Sequence, residues 1–414
     1  MNRRQLLESL TSAVVATLAP AISMAQQNDR AGVGTFSSTI DPGLQRRVEV
    51  TGAIAPKVRV VATTAQLSAA LKAAVDDETI VLQSGDYGHY TISGRNFGSY
   101  VTLRSEQPKG AVFQSLSVLN SSRLRIDGVR VSSPSNGSQG SKVTNIENSQ
   151  HIDFLNCETH GLMDDDYSGH YGLFVLNCQD IVIRKNYVHD VHNGIALFST
   201  TRLTVAENQV DYIGTDGFKF AGLTDFLIEN NVSGGRYFPA PDDHCDFIQG
   251  QGSSTNGVLR GNVHLPITAG AATCQGVFVA DGLYDNIVIE QNIVCTGMAN
   301  GIVIDGGPTT KNIVRNNTLI NAPRLVHDGT FIRIVGAGTD SKNIVCGTTG
   351  SITANGITAQ HTKPGGAAYY DRLFTNARRG LGITLQDLRP IAGSAADFGS
   401  GMGAEQRLYQ LLNP

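Results

Sequence analysis

One segment recurs along the chain and restricts its possible folds more than any other feature. Asp180-Ile-Val-Ile-Arg-Lys-Asn186, Arg202-Leu-Thr-Val-Ala-Glu-Asn208, Asp225-Phe-Leu-Ile-Glu-Asn-Asn231, Asn286-Ile-Val-Ile-Glu-Gln-Asn292 and Lys311-Asn-Ile-Val-Arg-Asn-Asn317 are copies of one apolar strand closing on asparagine, with a weaker copy ending at Asn262. Successive asparagines stand 22, 23, 31, 30 and 25 residues apart. A period this short holds strands and turns but no regular helix, so each repeat reads as one coil of a stacked parallel solenoid. Asparagine suits the bend because it tolerates left-handed backbone and its amide can bond to the copy stacked above it.

A second strand recurs inside each coil: Asn193-Gly-Ile-Ala-Leu197, Asp216-Gly-Phe-Lys-Phe220, Asp246-Phe-Ile-Gln249, Gln275-Gly-Val-Phe-Val279 and Asn300-Gly-Ile-Val-Ile304. Alternation turns Ile195, Phe218, Ile248, Val277 and Ile302 inward, and Ala196, Lys219, Gln249, Phe278 and Val303 outward. Ahead of the repeats, Thr64 is expected to cap a helix with Leu67, Leu71 and Val75 on one face, covering the open edge of the first coil. At the other end, Ala404-Glu-Gln-Arg-Leu-Tyr-Gln-Leu-Leu412 reads as a short helix capping the C-terminal coil.

The N-terminus reads as an export signal. Arg3-Arg4 precedes an apolar run from Ala13 to Ile22, which is too short to span a bilayer, and Ser23-Met24-Ala25 supplies the small residues of a cleavage site. The Arg pair resembles the twin-arginine class, with the ordinary secretory route as the alternative. The organisation is then residues 1–25 signal, 26–55 linker, 56–402 solenoid and 403–414 tail, in a periplasmic or secreted protein. Loss of Arg3, Arg4 and Glu8 with the signal makes the net charge of −4 more negative by one, which argues against nucleic acid as a partner. Six cysteines without a Cys-x-x-Cys pair exclude a metal knot and read mostly as small core residues, with disulfides permitted by the compartment.

Residues 60–400 resemble the right-handed parallel β-helix superfamily typified by pectate lyases, on the Asn-ended repeats and the Asp-Gly-Ile type of strand. Residues 79–87 are similar to the family's first turn, and Ile391-Ala-Gly-Ser-Ala-Ala-Asp-Phe-Gly399 to its closing coil. The resemblance implies an all-β chain: a single right-handed parallel β-helix with an N-terminal capping helix and a short C-terminal helix, expected to be a monomer. The fold hosts lyases, hydrolases, epimerases and tailspikes, so activity must come from the site.

Loop lengths locate that site. From the asparagine bend to the second strand takes 7 residues after Asn186 and 8 after Asn208, but 15 after Asn231 and 13 after Asn262; Cys157, at the asparagine position of an earlier coil, is 14 from Tyr171. Long loops on both sides of two short coils should wall a cleft. Its floor would carry Asn193, Asp216 and Lys219, with Asp246 and Gln249 one rung away. One wall would hold Asp164, Asp165, Asp166, Tyr167 and His170, and the other Arg236, Tyr237, Asp242, Asp243 and His244. The reading is an enzyme on an acidic polysaccharide, cleaving a uronic-acid chain by β-elimination, with Lys219 as base, His244 its rival, and Asp216 and Asp246 sharing a proton or a cation. Resemblance implies calcium or a basic side chain to neutralise the uronate, and Asp164, Asp165, Asp166, Asp242 and Asp243 are the carboxylates for such an ion. Arg236 and Arg260 are candidates for the sugar carboxylate. Thr215-Asp216-Gly217 and Asp242-Asp243 are similar to two polygalacturonase motifs, whose His-Gly and Arg-Ile-Lys elements are missing. Hydrolysis by paired carboxylates, C5 epimerisation and a non-catalytic carbohydrate-binding adhesin therefore stay open.

Overall fold

The computed structural model describes residues 57–164, 167–238, 244–321, 330–347, 356–360, 370–377 and 380–413. The expected export signal and all of the expected linker lie outside them. Within them, parallel strands form a right-handed β-helix of about 10 coils. One column of twelve strands runs from Lys57–Val61 to Thr339–Ser341 and contains the Asn-terminated repeats. A second column follows each asparagine, as in Gln209–Ile213, and a third carries the second repeated strand, as in Phe218–Ala221. Tyr187–Phe198 passes through both of the latter columns without a break.

The asparagine column is one continuous ladder. Nδ2 of Asn186, Asn208, Asn231, Asn262, Asn292 and Asn317 each donates to Oδ1 of the next asparagine at 2.9–3.0 Å, ending on Asn343. Cys157 N donates to Asn186 Oδ1, so Cys157 does take the asparagine position of its coil. The reason for asparagine differs from the expectation. The left-handed residue is the one before it, with φ of 57° at Lys185, 57° at Glu207, 55° at Asn230 and 57° at Gln291. The asparagines themselves are buried and serve as side-chain rungs that satisfy backbone groups at the bend.

Ile195, Phe218, Ile248, Val277 and Ile302 are fully buried in the axial core, as alternation requires. Each such side chain taken from water is worth about 1.5–3 kcal/mol, repeated coil by coil. At the start, the helix Thr64–Ala73 packs Leu67, Ala70 and Leu71 inward. Its cap is Thr63, which accepts from Gln66 N at 3.2 Å, while Thr64 Oγ1 donates to Tyr87 O; Val75 lies beyond the helix and is exposed.

The C-terminal segment does not cap the last coil. The helix Glu405–Leu412 lies along the outside of the second column, where Leu408, Leu411 and Leu412 join Ile293, Cys295, Ile320, Ile344 and Cys346 in a second hydrophobic cluster. Ala404 N donates to Thr318 Oγ1, Gly403 N to Lys342 O, and Arg407 Nε to Gly261 O. Residues 391–399 contribute turns to this covering segment rather than a closing coil. Among the described residues, no helix is long and apolar enough to cross a membrane.

Candidate functional site

The corner between the second and third columns concentrates the polar side chains. Gly194 N donates to Asp216 O, Gly217 N donates to Asp246 O, and Asp246 pairs with Gln275, which places Asn193, Asp216, Asp246 and Gln275 on successive rungs. Three residues on, a second outward row reads Phe174, Ala196, Lys219, Gln249 and Phe278. Gly217 is needed between the rows because a Cβ there would stand 2.2 Å from the Tyr237 hydroxyl and 2.9 Å from Phe247 O.

Lys219 and Asp216 form an ion pair, Nζ to Oδ2 at 3.0 Å, with 15% of the lysine side chain exposed against 2% of the aspartate. Asp246 N donates to the other Asp216 oxygen at 3.2 Å. The Asp246 carboxyl is fully buried, and neither of its oxygens has a hydrogen-bond partner. Burial, then the nearby charges of Asp216 and Asp281, hold its pKa well above the ordinary carboxylate value, which favours its protonated form. Burial also raises Asp216, opposed by Lys219. The two carboxyls are therefore unlike: one has no partner for its oxygens, the other is held beside a cation.

Asn193, Asp216, Lys219, Asp246 and Gln249 come together as expected, but Asp246 sits behind Asp216 and does not reach the surface. Tyr167 stands at the edge of this floor, its ring 5.4 Å from that of His192. Gly214 leaves room for both, since a Cβ there would be 2.5 Å from Tyr167. His244 is exposed; its carbonyl accepts from Thr215 Oγ1 at 2.9 Å. Asp164 is exposed as well.

Other expected residues are used elsewhere. His170 is buried between Ser133 Oγ at 2.9 Å and Ser141 Oγ at 2.6 Å, and braces its loop instead of facing the cleft. Arg236 is buried and bound to Asp211 Oδ2 at 2.5 Å, its guanidinium 5.2 Å over the Tyr212 ring. Tyr237 is fully buried, exchanging backbone bonds with Thr268 Oγ1 and packing edge-on to His264. Neither can touch a polymer on the surface. Arg260 lies on the first column, paired with Glu229 at 2.7 Å and Glu290 at 3.9 Å in a row of surface ion pairs.

Asp165, Asp166, Asp242 and Asp243 lie outside the described residues. Among the described residues, no group of three or more His, Cys, Asp or Glu side chains could hold a metal. On the floor itself the donor set does not fit calcium, because the Lys219 ammonium already takes the position beside Asp216 that a cation would need.

Three features went unread in the sequence. His192, half-exposed, meets Asn193 Nδ2 through Nδ1 at 3.0 Å, next to the Asp216 pair. A disulfide joins Cys245 to Cys274, tying together the two long loops immediately before Asp246 and Gln275. Buried His189 bonds Asp190 at 2.5 Å and Glu158 at 3.3 Å and stacks on His160 with ring centroids 4.8 Å apart. The disulfide had a signal: its cysteines occupy one position in successive coils, the position held by His192 and Thr215 in the two coils before.

Residues 114–349 match the protein family described as the right-handed β-helix region. The chain belongs to that family. Among solved structures, an alginate lyase from Paenibacillus sp. aligns with 68% of this chain and 99% of its own, at 16% identity and a TM-score of 0.46. An endo-xylogalacturonan hydrolase from Aspergillus tubingensis aligns over 74% of this chain and 100% of its own, at 12% identity and a TM-score of 0.42. The A-module of a mannuronan C-5 epimerase from Azotobacter vinelandii aligns over 73% and 94%, at 12% identity and a TM-score of 0.41. No curated protein sequence matches this β-helix at a significant level.

Proposed function

We propose that this β-helix is an exported, monomeric enzyme that cleaves a uronic-acid-containing polysaccharide by β-elimination, with Lys219 as the general base. The observation that carries the reading is the Lys219–Asp216 pair on the floor of the walled corner, with the buried Asp246 carboxyl on the next rung. Elimination needs the proton at C5 of the sugar removed and the negative charge developing at its carboxylate stabilised. A floor with two ionised carboxylates would repel an anionic sugar. Burial of Asp246 in its protonated form removes one of those charges, and Lys219 offsets the other.

Asp216 orients the Lys219 amine and, with its proton affinity raised by burial, accepts a proton from it when a bound sugar expels water. The neutral amine then takes the C5 proton, the electron pair forms the C4–C5 double bond, and the glycosidic oxygen leaves from C4, taking a proton from water. Gln249, one rung from Lys219, and His192 offer amide and imidazole donors to the sugar carboxylate. The Asp246 backbone N–H holds Asp216 in place by donating to its Oδ1.

The test is incubation of the mature chain with alginate, polygalacturonate and other uronate polymers, following the ultraviolet absorbance of the unsaturated product. Two carboxyls on adjacent rungs, Asp216 and Asp246, are the observation behind a second reading, hydrolysis by an acid and base pair. New reducing ends without that absorbance would select it. Altered C5 configuration without chain cleavage would mean epimerisation, and binding without either change an adhesin. For the export route, replacing Arg3 and Arg4 by Lys should block translocation of the protein; unchanged export would point to the general secretory pathway.

A further inference from the structure

A buried charge relay braces the corner of the cleft. Tyr187–Phe198 runs unbroken from the second column into the third, and at its bend stands Asp190, a non-glycine residue with φ 53°. His189, with 4% of its side chain exposed, meets a carboxylate at each ring nitrogen: Nδ1 faces Asp190 Oδ2 at 2.5 Å and Nε2 faces Glu158 Oε1 at 3.3 Å. An ionised carboxylate only accepts, so both bonds form together only when both nitrogens carry hydrogen, as in the imidazolium. Arg130 Nε holds the other Glu158 oxygen at 2.8 Å, which extends the relay from Arg130 through Glu158 and His189 to Asp190 over successive coils.

The charged and titratable groups around the ring are Glu158 and His160 on one side, Asp211 with its partner Arg236 on the other, and Tyr187 and Asp190 on its own strand. Burial works against a charge on His189, but the bonds to Asp190 and Glu158 outweigh it and raise its pKa above the ordinary 6.5. Burial, then the charge of His189, lowers His160, which favours the neutral form of the ring stacked on it. The bend in turn holds the cleft. Ser168 Oγ donates to Asp190 O at 3.0 Å and Gly161 N to His189 O at 3.3 Å, so the wall segment that carries Tyr167 is tied to the bend at both ends. Gly161 is required there, since a Cβ would stand 2.2 Å from Asp190 O. Past the bend, Val191 O and His192 O accept from Gly214 N at 3.0 Å and Thr215 N at 2.7 Å, just ahead of Asp216. The next coil turns at Tyr212, φ 51°, where the brace is the Asp211–Arg236 pair. Arginine keeps its charge across the working range of pH, whereas histidine gives its charge up near neutrality.

We infer that His189 is a positioning residue for the cleft: bridging Glu158 and Asp190, it fixes the bend from which His192 and Asn193 project and to which the Tyr167 wall is tied, and its proton makes that hold depend on pH. Because its pKa is raised on folding, the hold is complete below 6.5 and is lost as pH rises through the folded value. The brace itself is independent of the reaction; its effect on turnover rests on the Lys219 cleft acting on a uronate polymer.

The test uses the full mature chain as wild type, Glu158→Gln and His189→Gln, with nuclear magnetic resonance of the imidazole rings and backbone amides from acid to alkaline pH. The His189 ring should titrate above 6.5 and the Asn193 amide should shift at the same midpoint. In Glu158→Gln both midpoints should move together to lower pH, and in His189→Gln the Asn193 amide should lose that step. If His189→Gln does not fold, Glu158→Gln decides alone, since that side chain is 14% exposed and its loss opens no core cavity. On a uronate polymer that the wild type degrades, kcat/KM should drop about tenfold through the shared midpoint, as loss of one charge-assisted bond predicts, and the drop should move with it in Glu158→Gln. A His189 midpoint at or below 6.5, or an Asn193 amide that ignores it, overturns the inference whatever the chain degrades. So does a kcat/KM unchanged across that midpoint. An Asn193 amide that follows His189, in a chain that releases no unsaturated product from any uronate polymer, leaves the brace standing and removes the lyase reading.

Discussion

Asn231→Ala isolates what the asparagine ladder contributes. Asn231 is fully buried; its Oδ1 accepts from Asn208 N at 2.9 Å and from Asn208 Nδ2 at 3.0 Å, and its Nδ2 donates to Val205 O and to Asn262 Oδ1 at 3.0 Å each. Alanine removes all four bonds and leaves two buried donors on Asn208 without these partners. At about 1–3 kcal/mol for each orphaned group, the loss should be on the order of 4 kcal/mol. No backbone strain enters, since the left-handed residue is Asn230, not Asn231. Asn230→Gly is the matched comparison. It removes the cost of φ 55° and should be neutral or stabilising by up to about 1 kcal/mol. Equilibrium urea denaturation of the mature chain, followed by far-ultraviolet circular dichroism, measures both. A loss below about 1 kcal/mol for Asn231→Ala would mean that water replaces the side chain and that the ladder is not what holds the bends.

Lys219→Ala should lower turnover by about 10²–10⁴ with the fold intact, because a part-exposed outward side chain leaves no core cavity. His244→Ala should retain near wild-type rates; the opposite ranking would move the base to the loop. Asp246 binds its proton more tightly folded than unfolded, so its contribution is present below the unfolded carboxylate pKa of about 3.9 and is lost as pH rises through the raised folded value. Asp246→Asn should therefore raise stability at neutral pH and flatten its fall between acid and neutral pH, read from melting temperatures across that range; a steeper fall would contradict a neutral Asp246. Reduction of the Cys245–Cys274 bond, which closes a 29-residue separation, should cost about 3–4 kcal/mol and lower kcat by loosening the strand starts at Asp246 and Gln275. Identical melting and kinetics with and without reductant would show that the rungs alone hold those residues.

The coils were legible because the repeat forces them: with strands of one period, the inward row of Ile195, Phe218, Ile248, Val277 and Ile302 follows from alternation alone. The corner was legible from loop length, which needs no knowledge of side-chain direction. The walls were not. Arg236 and Tyr237 fold back under their loop, Arg236 toward Asp211 on the second column, and no local pattern announces a partner 25 residues away. The role of each bend residue was misplaced by one position, because Asn-Asn at 230–231 offers both a left-handed residue and a rung. The covered outer face had a sign that went unread. Ile293-Val-Cys295 and Ile344-Val-Cys346 are apolar on consecutive positions, as strands buried on both faces must be.

That outer face has a consequence for the length of the molecule. In a solenoid each coil touches only its neighbours, so coils can in principle be gained or lost at little cost. Here the C-terminal segment runs back along the stack and bonds at Gly261, Gln291, Thr318 and Lys342, one attachment on each of four successive coils. It works as a ruler laid against the stack. An inserted or deleted coil in this stretch would put every later mark out of step by one rung, and the end coils cannot fray singly while the segment stays bound. The number of coils in the C-terminal half is thereby fixed by a strip of chain that belongs to none of them.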